Sequence, residues 1–272
     1  MLGAIIGDIV GSRFEFNNTD KIDFELFTSE NGYTDDSICT IAIADAILKC
    51  IPYKNSVLAW CRKYSNPMGG YGASFAQWLH SDNPRPYNSY GNGSAMRVSP
   101  VGWAFDDEQT VIEQAIKTSE FSHNHPEGIK GAKCVADIIY LLRIQKISKD
   151  DVARYIKQSF GYDVPTIEKI KASHSFDETC QGTIPQAIRC FLDAGSFEEA
   201  IRLAVSIGGD SDTIAAIAGS IAESYYPIPE KIKSDAIKYL SDDMIDVIAQ
   251  FYSEYSKALC NDRLFLFHHA FL

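Results

Sequence analysis

Apolar residues recur at helical spacing along almost the whole of this 272-residue chain. Spacings of three and four residues place side chains on one face of an α-helix, whereas the alternation typical of strands is sparse here. Two such faces are marked by Ile38, Ile41, Ala42 and Leu48 and by Val111, Ile112, Ala115 and Ile116. No linker-like or charge-rich segment divides the chain, so we predict an all-α fold and a single domain over residues 1–272.

Helix-end signals agree with this interpretation. Ser148-x-x-Asp151 and Ser196-x-x-Glu199 resemble capping boxes, and Pro126 and Pro185 suit first-turn positions. The clearest segment starts at Ser196. It predicts a helix over Phe197–Ile207, a sharp corner at Gly208-Gly209 and a central helix over Thr213–Tyr225, whose small residues allow close packing on all sides.

Residues 65–107 are interrupted by several glycines and prolines, so this stretch is predicted to be rich in loops. A loop-rich stretch within a helical domain more often borders a functional site than fills the core. We therefore expect part of this segment to line a site.

The net charge of −11, with no basic stripe, argues against a nucleic-acid polymer as partner but leaves a nucleotide-sized ligand open. No apolar run has the length of about 20 residues that a membrane span needs. The seven cysteines are scattered and lack Cys-x-x-Cys pairs, which argues against a disulfide framework and a zinc ribbon. The N-terminus is not a convincing signal peptide. Together these features predict a cytoplasmic protein without a membrane partner.

Two acidic clusters, Thr34-Asp35-Asp36-Ser37 and Gly208-Gly209-Asp210-Ser211-Asp212-Thr213, stand at the starts of apolar helical stretches. Asp, Ser and Thr are preferred helix caps, so capping alone is one explanation. Yet a cap needs one oxygen, and several carboxylates beside a core are costly unless a cation compensates them. Oxygen ligands suit hard cations such as Mg²⁺ or Mn²⁺. Four aspartates would balance two divalent ions.

Three further features are candidates for chemistry. The Tyr90-Gly91-Asn92-Gly93-Ser94 segment could turn backbone N–H groups toward an anion, although Gly-Asn-Gly is also an ordinary turn. Glu15 lies between Phe14 and Phe16, and desolvation by the rings would suit it for proton transfer; a covered surface carboxylate is the alternative. The Gly7–Glu15 segment itself is too irregular to have been chosen for helix propensity. In His123-Asn124-His125-Pro126, one imidazole could face a site while the other caps or packs, and a zinc site is disfavoured.

Taken in order, these motifs resemble the ADP-ribosylglycohydrolase family, the metal-dependent ADP-ribosyl-acceptor hydrolases that include dinitrogenase reductase-activating glycohydrolase. The resemblance spans nearly the whole chain. It rests on Gly7-Asp8-x-x-Gly11-x-x-x-Glu15, Thr34-Asp35-Asp36-Ser37, Gly91-Asn92-Gly93-Ser94-Ala95-Met96-Arg97, the His123 segment, Gly182-Thr183-Ile184-Pro185-Gln186-Ala187 and Gly208-Gly209-Asp210-Ser211-Asp212-Thr213. One departure is Ser37, where the family commonly has a second threonine.

The resemblance implies a compact helical domain with two Mg²⁺ ions, sometimes Mn²⁺, in a cleft for ADP-ribose or an ADP-ribosylated acceptor. The implied activity is hydrolysis of the bond between C1″ of the distal ribose and its acceptor. The resemblance implies that Thr34, Asp35 and Asp36 bind one ion and that Asp210, Asp212 and Thr213 bind the other. It implies a mobile glutamate at Glu15 and a ribose-side contact by His123. The implied ligand-binding residues are Asn92, Gly93, Ser94, Ala95 and Met96. Glu15 and Asp36 are both candidates for the general base.

Two other functions remain open at this point. Some similar proteins are non-enzymatic, such as certain lens crystallins, so a structural or ADP-ribose-binding role is one alternative. A metal-dependent nucleotide pyrophosphatase is the other, because two-metal sites handle phosphoryl chemistry readily. The sequence does not assign the acceptor, whether arginine, serine, nucleic acid or O-acetyl.

Overall fold

A computed structural model describes residues 1–173 and 176–255 of the chain. Its helices are α1 (Leu2–Gly11), α2 (Asp35–Lys49), α3 (Tyr53–Lys63), α4 (Ala73–His80), α5 (Gly93–Met96), α6 (Ser99–Ala104), α7 (Glu108–Glu120), α8 (Pro126–Tyr140), α9 (Lys149–Phe160), α10 (Ile167–Ser173), α11 (Cys180–Asp193), α12 (Phe197–Ser206), α13 (Ser211–Glu223), α14 (Glu230–Ile237) and α15 (Asp242–Tyr255). A 3₁₀ turn (Ser12–Phe14) follows α1, and a π-helical turn (Leu141–Gln145) follows α8.

The all-α prediction is confirmed. Across the two described ranges, β-type pairing is limited to an isolated bridge between Gly91 and Thr179. None of the helices in these ranges is long and apolar enough to cross a bilayer. Residues 174, 175 and 256–272 lie outside the description, and with them the far end of the predicted domain.

The centre of the molecule is the pair formed by α1 and α13, both almost wholly buried. Gly3, Gly7 and Gly11 recur every four residues on the face of α1 that meets α13. A Cβ at Gly7 would lie 2.0 Å from the Ala215 carbonyl oxygen, so the two backbones are in direct contact. The Gly7–Glu15 segment was not expected to have been chosen for helix propensity, and its first part is nevertheless helical, because close packing on α13 compensates the low helix propensity of glycine.

The predicted helix ends mostly agree with the structure. Ser148 and Asp151 form a reciprocal capping box at α9, and the Ser196 side chain accepts the Glu199 N–H at the start of α12. Pro126 opens α8 as expected. Pro185 does not open a helix, because α11 already starts at Cys180, capped by the Thr179 hydroxyl, and accommodates the proline in its interior.

The corner between α12 and α13 is confirmed, with helix boundaries within two residues of those predicted. Gly208 and Gly209 have φ angles of 75° and 78°, a left-handed conformation that side chains other than glycine rarely adopt. The corner sets Asp210 at the N-cap of α13. It thereby brings the second acidic cluster to the N-terminus of the central helix.

Candidate metal centre and ligand cavity

The N-termini of α2 and α13 meet at one end of the helical core. The Thr213 hydroxyl donates a hydrogen bond of 3.1 Å to Oδ2 of Asp36, which links the two acidic clusters directly. Asp35, Asp36, Asp210, Asp212 and Thr213 all line a cavity of about 300 Å³. Residues 69–75 and several between 87 and 97 line the same cavity, so the loop-rich segment borders a site as predicted.

Helix capping does not account for the carboxylates. At α2 the cap is Thr34, whose side-chain oxygen accepts the Asp36 N–H, and at α13 the Asp210 side chain makes no capping bond. Oδ1 of Asp36 and Oδ1 of Asp212 are buried without a hydrogen-bond partner, in residues only 2% and 3% exposed. Buried acceptors of this kind are costly unless something satisfies them. A cation would do so.

Carboxylate oxygens of Glu15, Asp210 and Asp212 lie within 4.8 Å of one another, close enough to hold a metal ion together. Burial raises the pKa values of Asp36 and Asp212 well above their usual range, and the charges of neighbouring acids raise them further. The cluster therefore resists full ionisation by itself, and a bound cation would favour the ionised form.

Asp8, on α1, lies behind the acidic cluster and has a structural role. It is fully buried and accepts four hydrogen bonds, from the backbone N–H and hydroxyl of Thr34 and from the backbone N–H and hydroxyl of Ser37. These bonds fix the first turn of α2 against α1. They also direct the Thr34 hydroxyl toward Asp8, and Thr34 is not part of the cavity wall.

Glu15 follows the 3₁₀ turn and lies in the cavity wall beside the aspartates. Burial raises its pKa to about 7, and the charges of Asp210 and Asp8 add to the effect. The flanking rings differ in role, because Phe14 packs inward on Phe24 whereas Phe16 is exposed. Gly69 contacts Glu15 so closely that a Cβ there would lie 2.6 Å from Oε2.

The Asn92 segment is connected to the metal centre through side chains. Nδ2 of Asn92 donates to Oδ2 of Asp210 at 2.6 Å and to the Thr183 hydroxyl at 2.9 Å. Asn92, Gly93 and Met96 line the cavity. Ser94 and Ala95 do not: Ser94 is buried and donates to the Gly128 carbonyl, and Ala95 is fully buried. Their place is beneath the cavity surface, where they shape the turn.

His123 faces the cavity, and His125 caps α8 by accepting the Glu127 N–H, as the sequence predicted for this pair. Arg97 donates to the Ser122 hydroxyl, whose oxygen lies 2.8 Å from Nδ1 of His123. Because the guanidinium only donates, the Ser122 proton is available for Nδ1, which places the ring proton on Nε2. Burial, then the Arg97 charge, holds the His123 pKa well below its usual range. A neutral imidazole thus presents an N–H donor.

Several cavity residues were given no role from the sequence, among them Tyr87, Ser89, Arg97 and Glu178. Arg97 closes the Asn92 motif and is only 1% exposed, with its charge held over the Phe121 ring and by the Thr118 carbonyl. Its place at the end of that motif was the sequence signal that could have indicated a role at the site. Glu178 comes from the segment before α11 and had no sequence signal, because only the tertiary fold brings it to the cavity.

Comparisons with known proteins identify the family and the fold of the chain. The model of the family described as ADP-ribosylglycohydrolase matches residues 1–260. The chain is 25% identical to ADP-ribosylhydrolase ARH3 of Homo sapiens, in an alignment that covers 90% of each chain. It is 22% identical to ADP-ribosylarginine hydrolase Tri1 of Pseudomonas putida (strain GB-1), in an alignment that covers 90% of this chain and 76% of the relative. A solved structure of an ADP-ribosylglycohydrolase-related protein complex has the same fold, with a TM-score of 0.67 at 20% identity over 93% of this chain and 97% of the other.

Proposed function

The chain belongs to the ADP-ribosylglycohydrolase family and is a hydrolase, and we propose that it uses two Mg²⁺ ions, or Mn²⁺, to cleave the C1″ bond between ADP-ribose and an acceptor. The observation that carries this proposal is the pair of buried, unpartnered carboxylate oxygens on Asp36 and Asp212, which meet at one cavity from two helix N-termini. A cytoplasmic location remains part of the proposal.

In this proposal Asp35 and Asp36 hold one ion, and Asp210, Asp212 and Thr213 hold the other. Thr34, expected as a ligand, instead directs its hydroxyl toward Asp8 and lies outside the cavity wall. An all-oxygen donor set of this kind fits a hard divalent cation. When bound, the ions would supply positive charge that orients the ribose hydroxyls and lowers the pKa of water. Asp8 holds the first turn of α2, and Asn92 holds Asp210, so both acidic clusters are fixed in place before any ligand enters.

We assign proton transfer to Glu15 rather than to Asp36. Oδ2 of Asp36 already accepts the Thr213 hydroxyl and its Oδ1 is buried, whereas Glu15 lies in the cavity wall and is only partly buried. A carboxylate beside the proposed ions can take a proton from the attacking water and later release it. In this proposal the Nε2–H of His123 and the Asn92–Gly93 turn bind the ribose and phosphate oxygens of the ligand.

Substituting Gly93 by alanine should weaken ADP-ribose binding roughly 10-fold, or about 1.4 kcal/mol, without unfolding the protein. A Cβ at Gly93 would lie 2.9 Å from Nε2 of His123 and would push the imidazole out of position. Titration calorimetry with ADP-ribose on Gly93→Ala, His123→Ala and the double variant measures this effect. In the His123→Ala background, the Gly93→Ala substitution should change the binding free energy by almost nothing. An equal cost in both backgrounds would show that Gly93 acts on the ligand directly.

The activity itself is tested by product analysis. Incubation of ADP-ribosylated peptides with the protein and MgCl₂ should release intact ADP-ribose, and removal of the metal with EDTA should stop the reaction. A nucleotide pyrophosphatase would instead give AMP and a ribose phosphate. Release of AMP would therefore replace the proposal, and ADP-ribose binding without any product would leave a non-enzymatic role.

A further inference from the structure

Two segments that each bring a glutamate to the cavity wall are joined at the rim by a pair of stacked phenylalanine rings. Phe16 directly follows Glu15, and Phe176 lies two residues before Glu178. The ring centroids of the two phenylalanines lie 6.3 Å apart, with planes inclined by 21°. Phe16 is 75% exposed and Phe176 is 49% exposed, so core packing does not explain the pair. The stack ties the Glu178 segment to the segment that presents Glu15.

The backbone of Glu178 is held by a second connection. The Asn92 N–H donates to the Glu178 carbonyl oxygen at 2.7 Å, and the Cys180 N–H donates to the Tyr90 carbonyl oxygen at 2.9 Å. These two bonds form the isolated bridge between the Asn92 turn and the segment before α11. Glu178 is therefore fixed beside the turn that the proposed function assigns to ligand binding.

The Glu178 carboxylate differs from those of the metal centre. Within the described ranges it has neither a hydrogen-bond donor nor a cation beside it. It is exposed, unlike the buried Oδ1 atoms of Asp36 and Asp212, so no cation is needed to explain it. Partial burial still raises the pKa of Glu178 above its ordinary value, and the charges of Asp210 and Asp177 raise it further. These effects favour a carboxylic acid at the edge of the cavity.

The other titratable groups in the described part of the wall are engaged or are weak acids. The Tyr71 hydroxyl donates to two backbone carbonyl oxygens, and burial raises the pKa of Tyr87 to about 12. The neutral imidazole of His123 and the Arg97 guanidinium hold their protons too firmly to release them. The proposed function assigns the aspartates to the ions and Glu15 to the attacking water. Glu178 is the carboxyl group that remains.

We propose that Glu178 is the proton donor to the departing acceptor and that the stack of Phe16 on Phe176 positions it. The inference rests on the proposed function and adds a second residue to its proton transfers. An acceptor atom that leaves C1″ without a proton leaves as a high-energy anion. Glycoside hydrolysis commonly avoids this with two carboxyl groups, of which one acts on the water and the other protonates the leaving group.

The protons balance in this step. The bond between C1″ and the acceptor atom breaks, and its electron pair stays on that atom. The Glu178 carboxylic acid gives that atom its proton and becomes a carboxylate. Water forms the new bond to C1″ and gives one proton to Glu15. Exchange of both protons with solvent restores the two glutamates, and no oxidant or reductant is needed.

The test uses two synthetic substrates, the p-nitrophenyl and the unsubstituted phenyl glycosides of ADP-ribose at C1″. The p-nitrophenolate is a good leaving group without protonation, whereas the phenolate depends on it. Glu178→Gln should lower kcat for the phenyl compound by about 100-fold and for the p-nitrophenyl compound by no more than about 3-fold. Glu120→Gln, at an exposed glutamate outside the cavity wall, is the matched control and should change neither.

The positioning role of the stack has its own variants. Phe176→Leu keeps an apolar side chain but removes the ring, so kcat for the phenyl compound should fall by about 2- to 10-fold, the factor that the loss of an aromatic pair corresponds to. The p-nitrophenyl compound should be nearly unaffected. Phe176→Tyr keeps the ring and should restore the wild-type rate. Equal losses on both substrates would show that the rings shape the cavity and do not position a proton donor.

Binding gives a readout that does not depend on turnover. The Kd of ADP-ribose, measured by titration calorimetry, should be the same for Glu178→Gln and the wild-type protein, because ADP-ribose lacks the departing group. Equal losses of kcat on both substrates in Glu178→Gln, or no loss on either, would overturn the inference while leaving the glycohydrolase proposal intact. A wild-type protein that releases ADP-ribose from neither substrate would instead count against the proposed function itself.

Discussion

Replacing Asp212 by alanine should abolish hydrolysis, with a loss of about 10³-fold or more, and should at the same time stabilise the metal-free protein by about 1 kcal/mol. The two effects share one cause. Asp212 is buried beside Asp210 and Asp36, its Oδ1 has no partner, and the neighbouring charges oppose its ionisation. Without a cation, its removal relieves repulsion; with one, its removal takes away a ligand.

Thermal unfolding with and without MgCl₂ measures both effects. A cation that binds the folded state raises its stability by RT ln(1 + [L]/Kd), which is about 2.7 kcal/mol when the cation is present at about 100 times Kd. The wild-type protein should show such a magnesium-dependent rise in Tm, and Asp212→Ala should show almost none. A variant that keeps the full rise would contradict the assignment of Asp212 as a ligand.

Asp8→Ala is the matched control, because it removes an equally buried aspartate whose carboxylate, unlike that of Asp212, is fully hydrogen-bonded. Its carboxylate accepts four hydrogen bonds from Thr34 and Ser37, so the substitution leaves buried donors unpaired. It should destabilise the metal-free protein by about 3 kcal/mol. Stabilisation by both substitutions would mean that crowding of negative charge, rather than the hydrogen-bonding state of each carboxylate, governs this region.

Local signals were sufficient for part of the structure. The corner at Gly208-Gly209 follows from two adjacent glycines between helical patterns, and the structure gives both a left-handed φ. The clustering of Asp35 and Asp36 with Asp210 and Asp212 was also predictable, because acids at helix starts beside apolar runs indicate a shared cavity. These features depend on spacing within a few residues, which a sequence states directly.

Features that depend on distant contacts could not be predicted in this way. Contacts with Asp210 and His123 decide which face of the Asn92 turn meets the cavity. Spacing alone therefore could not show that Gly93 lines the cavity and Ser94 does not. Glu178 and Phe176 reach the rim only through the placement of the segment before α11. The helix α1 was missed for the same reason, since its glycines indicate a break unless the partner helix is known.

Gly7→Ala should therefore destabilise the protein by about 3 kcal/mol or more, although alanine is the better helix former by about 1 kcal/mol. The new Cβ would lie 2.0 Å from the Ala215 carbonyl oxygen and 2.7 Å from the Ala216 nitrogen, both backbone atoms of the buried helix α13. Neither helix can move aside without disturbing the core on its other faces. Because Asp8 follows Gly7 and holds the start of α2, displacement of α1 should also disturb the metal centre.

Urea unfolding of Gly7→Ala beside Gly72→Ala tests this account of the core. Gly72 has open space where its Cβ would be, so alanine there should change the free energy of unfolding by no more than about 0.5 kcal/mol. If Gly7→Ala is as stable as the wild-type protein or more stable, helix propensity dominates and the backbone contact between α1 and α13 is not the constraint that requires glycine. A loss confined to Gly7→Ala, together with a weaker magnesium-dependent shift in Tm, would show that packing of α1 on α13 also positions the carboxylates of the metal centre.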